Sequence, residues 1–296
     1  MNAVERLAEL LLDRLGVNGP PDLSTIATKI GLRIKEVEAD GFDGTLVRAQ
    51  DSPKGIVAIN SRIREYTRKR FAIGHEIGHY LIPHHQRLEN VCRPNSIERW
   101  HPGISQTERE ANEFSAELLL PRKIVAPLFG LNDPSLQQIR KVANYFSTSL
   151  TATVHRFVEL TDRPCCLVWS EQNRTRWYVP SATFRIPLPI SELPSPYSMA
   201  AKLFAGQRVP DEFVEVPQDT WLNRWDAHRV RRVLEHSVPL PSYEAVLSFL
   251  EFELEQEHSE DEETSELLEE LDPNRYDSVI RRKPTFGSTT IYHSLP

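Results

Sequence analysis

The sequence predicts an α+β protein in which helices and a small sheet are followed by a smaller, β-rich part. Three observations support this class. Strand-like segments alternate with short helical ones up to residue 60, amphipathic helical patterns dominate residues 63–160, and strand-like segments return from residue 163. At 296 residues, the chain is long enough for one large domain or two modest ones.

We predict four parts, which differ in composition and periodicity. They are an α+β domain at residues 1–130, a helix-turn-helix-like segment at 131–162, a mixed or β-rich domain with a regulatory role at 163–255, and an acidic, flexible tail at 256–296.

The elements of the first part follow from local patterns. Apolar residues on one helical face run from Val4 to Leu15 and stop at Gly16. A short helix is then predicted, followed by three strands with a turn at residues 41–44: the helix is Asp22–Ile30, and the strands are Leu32–Glu38, Thr45–Ala49 and Gly55–Asn60.

The most informative stretch is FAIGHEIGHYLI at residues 71–82, where His75, Glu76 and His79 form the pattern H-E-x-x-H. On a helix, positions i and i+4 share a face, so both histidines can aim a ring nitrogen at one point. Two such nitrogens suit zinc, and the glutamate between them suits a general base acting on water. The pattern predicts a zinc hydrolase site, with manganese as an alternative ion. Gly74 and Gly78 indicate that another backbone passes close to this helix.

Three candidates for a third ligand follow the motif: His84, His85 and Glu108. His85 lies ten residues after His75, a spacing used by some zinc sites, but that pattern needs a glycine where this chain has Ile82. We favour Glu108, which lies on a second apolar helix at residues 107–121 and can complete a site of two histidines and one carboxylate. Asn112 lies one turn further on, where it can hydrogen-bond to the outer side of a ligand.

The remaining polar residues of this second helix are given structural roles. Thr107 is the predicted N-cap, with Glu110 as its capping-box partner. We expect Glu110 and Glu117 to be ordinary acids on the helix surface. In the loop before the helix, Arg93, Arg99 and His101 could stabilise an oxyanion, but a solvated loop is the favoured interpretation of each. 

The two motifs, FAIGHEIGH and EREANEFSAELLLP, resemble in this order and spacing those of the ImmA/IrrE family of metallopeptidases. The resemblance covers about residues 22–160. It implies a minimal thermolysin-like zincin domain with Glu108 as the third zinc ligand. It further implies cleavage of a helix-turn-helix repressor, which relieves transcriptional repression after stress or in mobile elements. Ser115 stands where the family more often has alanine, and we expect little effect.

Residues 135–160 predict two helices with a break near residues 147–149. DNA binding through Arg140, Lys141 and Arg156 is one interpretation, but a structural helix pair is favoured because basic residues are few and the chain carries a net charge of −7. His155 is expected to be a half-buried structural histidine.

The predicted C-terminal domain begins with the hairpin Cys165–Ser170 and Thr175–Val179, followed by a helix at Ala200–Phe204 and a strand at Glu212–Val216. Residues 243–255 fit either a strand or a helix. Four tryptophans are expected to build a second core: Trp169, Trp177, Trp221 and Trp225.

Composition indicates a cytoplasmic protein with no membrane partner. Two of the three cysteines are adjacent, which suits a reducing compartment, and the acidic residues among the first apolar positions argue against a signal peptide. No stretch reaches the length of a membrane span.

The sequence therefore predicts a zinc endopeptidase that uses Glu76 as general base and cleaves a repressor protein. Two alternatives stay open. The first is a module that binds a repressor or antitoxin without cutting it, and the second is a direct DNA-binding regulator using residues 135–160.

Overall fold

The computed structural model describes residues 1–48, 54–85, 91–92, 105–131, 135–190 and 194–255. Within these residues, eight α-helices and two sheets are present, with helices dominating the first part and strands the last, so the predicted α+β class is confirmed. The residues up to Leu254 form one compact unit. None of the helices in these ranges is long and apolar enough to cross a membrane.

The first sheet has the strand order β1-β3-β2-β4. Its strands are β1 (Leu32–Val37), β2 (Gly44–Arg48), β3 (Gly55–Asn60) and β4 (Val91–Cys92). Strands β1 and β3 are parallel, while β2 pairs antiparallel with both β3 and β4. Helices α1 (Ala3–Leu15) and α2 (Leu23–Lys29) contribute to the apolar core beside this sheet. Asn2 caps α1 with a full capping box, and Gly16 ends it in the left-handed conformation.

Two longer helices follow the sheet strands in this part of the chain: α3 (Tyr66–Leu81) and α4 (Gln106–Leu119). They pack directly on each other, and α3 also packs on β2 and β3. The close packing requires the two glycines of α3. A Cβ added at Gly74 would lie 2.5 Å from Ser115 Oγ, and one added at Gly78 would lie 3.1 Å from the Phe114 ring. The glycines therefore let α4 approach α3 closely, as the sequence predicts.

Three further helices follow: α5 (Arg122–Phe129), α6 (Leu136–Phe146) and α7 (Leu150–Leu160). Gly130 ends α5 in the left-handed conformation, and Ser135 and Ser149 cap α6 and α7. Helix α7 packs on the strands of the second sheet, with Thr153–Val158 buried. One apolar core, which includes Phe129, Phe157 and Phe249, is shared by these helices and that sheet.

The second sheet is antiparallel with the order β6-β5-β9-β8-β7. Its strands are β5 (Cys165–Glu171), β6 (Arg174–Pro180), β7 (Val214–Val216), β8 (Val230–Leu240) and β9 (Ala245–Leu254), and helix α8 (Met199–Phe204) packs on β8 and β9. Gln172 and Asn173 turn the first hairpin with positive φ at both positions. Alternate residues of β9 enter two cores, one on each face of the sheet.

Several local predictions were wrong. Ser105, not Thr107, caps α4, because the helix begins at Gln106 and the Ser105 hydroxyl accepts the Glu108 N–H. Trp225 is 83% exposed rather than part of the second core, because the Asn223 side chain holds it in an exposed turn by accepting its backbone N–H. Strand β8 was missed, and residues 245–254 are a strand.

The predicted acidic tail lies outside the described residues, as do Arg93, Arg99 and His101. The four-part division of the chain stays a prediction.

Candidate metal centre

The facing surfaces of α3 and α4 bring together the residues predicted to bind a metal. His75 Nε2 and His79 Nε2 are 3.0 Å apart. The Glu108 carboxylate contacts both, with Oε2 at 3.2 Å from His75 Nε2 and Oε1 at 3.2 Å from His79 Nε2. Both histidines are fully buried, while Glu108 keeps 17% side-chain exposure, so the cluster is reached from the Glu108 side.

These distances fit a tetrahedral zinc ion. Ligand atoms at about 2.0–2.1 Å from such an ion lie about 3.3 Å from each other, close to the separations in this cluster. Two neutral imidazoles and one carboxylate are a donor set that zinc accepts, with one position left for substrate or water. The residues present therefore fit the ion that the motif implies, and they form one of two groups in the described ranges that could hold a metal.

The outer nitrogens of both histidines have partners. His75 Nδ1 is 2.8 Å from Asn112 Oδ1, so the ring donates its Nδ1–H to the amide oxygen and leaves Nε2 free to bind a metal. His79 Nδ1 is 3.0 Å from the Nδ1 atom of His85, a buried residue of the short 3-10 turn that follows α3. Asn112 thus lies where the sequence places it, and His85 adds a contact that was not predicted.

Glu76 lies beside the cluster, fully buried, and faces strand β2. A Cβ added at Gly44 would lie 2.9 Å from Glu76 Oε1, so the absence of a side chain at this position makes room for the carboxylate. A buried carboxylate thus lies next to His75, where the motif predicts a general base.

The pKa values of the clustered side chains are shifted by burial and by their neighbours. Burial disfavours an ionised Glu108, but hydrogen bonds from His75 and His79 outweigh this and hold the pKa of its carboxyl well below the ordinary range. Burial lowers the pKa of His79, and the neighbouring His75 acts in the same direction, so His79 stays neutral. Burial also opposes a charged His75, yet Glu108 and Glu76 together raise the pKa of that ring. A proton held on His75 Nε2 would compete with a metal for that nitrogen.

Sequence reasoning missed three polar residues of this region. Glu110 is not a surface acid: its Oε2 is 2.9 Å from His85 Nε2 and 2.5 Å from His84 Nε2. Glu117 is only 1% exposed and pairs with Arg122 and Arg156. The two adjacent histidines after Pro83 were the available signal in the sequence. The sequence alone does not show that His85 contacts His79 and Glu110, so its role could not be predicted.

The helix pair α6–α7 offers little for DNA. Arg156 is 2% exposed and ion-paired to Glu117. Arg140 keeps 35% side-chain exposure but pairs with Asp211, and Lys141 is exposed. His155 is buried with Nδ1 at 3.3 Å from Glu159. Because α7 is covered by the second sheet, it cannot enter a groove as a recognition helix does.

The fold and the site define a metallopeptidase-type domain, and comparison with known proteins agrees. Residues 27–158 match the model of the peptidase family described as the IrrE N-terminal-like domain. The chain therefore contains an IrrE N-terminal-like domain, and the predicted family resemblance is confirmed for this part.

A solved structure, a Mycobacterium tuberculosis transcriptional regulator, is similar over 86% of this chain and 76% of its own, with a TM-score of 0.50 and 12% identity. At that identity the likeness concerns the fold alone. No curated protein matches the chain.

Proposed function

We propose that the protein is a zinc-dependent, site-specific endopeptidase that cleaves a helix-turn-helix transcriptional repressor and so relieves repression. One observation carries the peptidase part of this proposal: a fully buried Glu76 lies beside the cluster of His75, His79 and Glu108. The IrrE N-terminal-like domain supports the class of substrate, because the family resemblance implies repressor cleavage. 

In this proposal, His75, His79 and Glu108 hold the ion, and Asn112 orients His75. When bound, zinc supplies Lewis acidity toward a peptide carbonyl and toward water. Glu76 removes a proton from the attacking water as the carbon–oxygen bond forms. It then delivers that proton to the amide nitrogen as the carbon–nitrogen bond breaks, which yields a carboxylic acid and an amine.

The test is a cleavage assay on the full chain loaded with zinc. The substrate is the helix-turn-helix repressor encoded nearest to it, and the products are identified by intact mass. Glu76→Gln should still bind zinc but produce no cut. Glu65→Gln is the matched control, because Glu65 is an exposed glutamate at the start of the same helix and makes no capping hydrogen bond. An active Glu76→Gln variant would refute the assigned role.

The same assay separates the alternatives. A stable complex without cleavage would favour a non-cutting binding module. A fragment with one new terminus, absent with Glu76→Gln, would support the peptidase. Metal analysis of the purified protein would decide between zinc and manganese, since this ligand set accepts both.

A further inference from the structure

A chain of polar contacts leads outward from the candidate metal centre. His79 Nδ1 is 3.0 Å from His85 Nδ1, and His85 Nε2 is 2.9 Å from Glu110 Oε2. Both histidines are fully buried, and Glu110 lies at the edge with 16% side-chain exposure. The role proposed above for His79 involves only its Nε2 atom. The contacts from His79 through His85 to Glu110 therefore have no function in that proposal.

The positions of the protons follow from the chemistry of imidazole. A neutral imidazole that offers Nε2 to a metal carries its proton on Nδ1. His79 then donates from Nδ1, and His85 Nδ1 must be the unprotonated acceptor. His85 therefore carries its own proton on Nε2, from which it donates to the Glu110 carboxylate. With a metal on His79, this arrangement gives each contact one donor and one acceptor.

We propose that His85 and Glu110 are positioning residues of the metal centre, which fix His79 in the tautomer and orientation that present Nε2 to the ion. This inference rests on the proposed metal site. Asn112 serves His75 in the corresponding way, so each ligand histidine is fixed from its outer nitrogen by a separate partner. The negative charge of Glu110 also polarises His85 and, through it, His79, which makes His79 a better metal ligand.

A second ion is the main competing explanation, because His84, His85 and Glu110 form a group that could hold a metal of its own. Such an ion would occupy His85 Nε2 and place the proton of that ring on Nδ1. His85 would then donate to His79 Nδ1, and His79 would carry its proton on Nε2, where the first ion must bind. Two ions at once would leave one proton for two rings, and hence an imidazolate. The number of protons available to the two rings therefore favours the arrangement in which His79 donates to His85 and His85 donates to Glu110.

Zinc affinity of the full-length chain, measured by competition with a chromophoric chelator, tests the proposal. His85→Ala should weaken zinc binding by about 10- to 100-fold. His85→Asn should recover much of this loss, because its amide oxygen can accept from His79 Nδ1–H. His84→Ala is the matched control: His84 contacts the same Glu110 oxygen, and its variant should bind one equivalent of zinc with nearly wild-type affinity. Circular dichroism establishes that each variant is folded.

Nitrogen NMR of isotope-labelled histidines in the zinc-loaded chain supplies a direct readout. The expected spectrum shows His79 protonated on Nδ1 and His85 protonated on Nε2. Wild-type zinc affinity in a folded His85→Ala variant would overturn the positioning role of His85 and Glu110, as would a second zinc equivalent that disappears in His84→Ala. Either result would leave the proposed peptidase function standing. A folded wild-type chain that binds no zinc would overturn both.

Discussion

The backbone of Gly44 lies against the side chain of Glu76, such that a Cβ at Gly44 would stand 2.9 Å from Oε1 and 3.2 Å from Cγ. The contact joins strand β2 to the metal helix α3 at the group proposed as general base. It sets the position of the carboxylate, because the strand leaves space for it only where a side chain is missing.

Gly44→Ala should therefore displace the Glu76 carboxylate and lower kcat by about 100-fold, the cost typical of a misplacement near 1 Å. Zinc affinity should stay at the wild-type value, since no ligand is touched. Gly19→Ala is the control, because a Cβ there meets only the Tyr145 hydroxyl at an ordinary 3.6 Å. Full activity in Gly44→Ala would show that Glu76 is not held by this contact.

Asn112→Ala should weaken zinc binding by about 10- to 100-fold, because the outer nitrogen of His75 loses the oxygen that fixes its tautomer. Chelator competition measures the loss, with Asn144→Ala, an exposed asparagine of α6, as the control. Unchanged affinity in Asn112→Ala would mean that His75 is oriented by other contacts.

Arg156→Met should lower the free energy of unfolding by about 3–5 kcal/mol, because it leaves the buried Glu117 carboxylate with less compensating charge. Urea unfolding measures this change. The double variant Arg156→Met/Glu117→Leu should lose less than the sum of the two single variants, since no buried charge is then stranded. Strictly additive losses would indicate that the two side chains do not interact.

The Glu235 carboxyl should make stability depend on pH. It is fully buried, and burial raises its pKa even though Ser237, Trp221 and the Ala200 N–H donate hydrogen bonds to it. A raised native pKa means that the folded chain binds the proton more tightly. The contribution of this proton to the free energy of unfolding is thus complete below the unfolded-state pKa of Glu235. It is lost as the pH rises through the native pKa.

Urea unfolding of wild type and Glu235→Gln across this pH window isolates the effect. The amide loses one hydrogen bond, because its N–H₂ meets another donor, but this loss does not vary with pH. The wild-type advantage should shrink as the pH rises. A difference between the two proteins that is constant with pH would mean that Glu235 stays in one protonation state throughout.

The first half of the fold was predictable because its patterns are local. Helix α1, the strand Gly55–Asn60 and the spacing of His75, Glu76 and His79 all follow from periodicity or from one turn of helix. The position of Asn112 could likewise be predicted, since it shares a helix face with Glu108.

What could not be predicted depends on tertiary partners. Strand β9 is buried on both faces, so its sequence lacks the alternation that distinguishes a strand from a helix. Glu110 and Glu117 look like any solvated acid until the histidines after Pro83 and the arginines of α5 and α7 are placed beside them.

The ion pairs around Arg122 limit how far the chain can be truncated without losing contacts between its helices. Arg122 contacts Glu5 of α1, Glu117 of α4 and Glu159 of α7. Glu117 lies nine residues beyond Glu108 on the same helix. A fragment limited to residues 27–158, the extent of the family match, would lack both Glu5 and Glu159. It would expose the apolar faces that α1 and the second sheet cover, so the excised IrrE N-terminal-like region would depend on solubilising partners to stay folded.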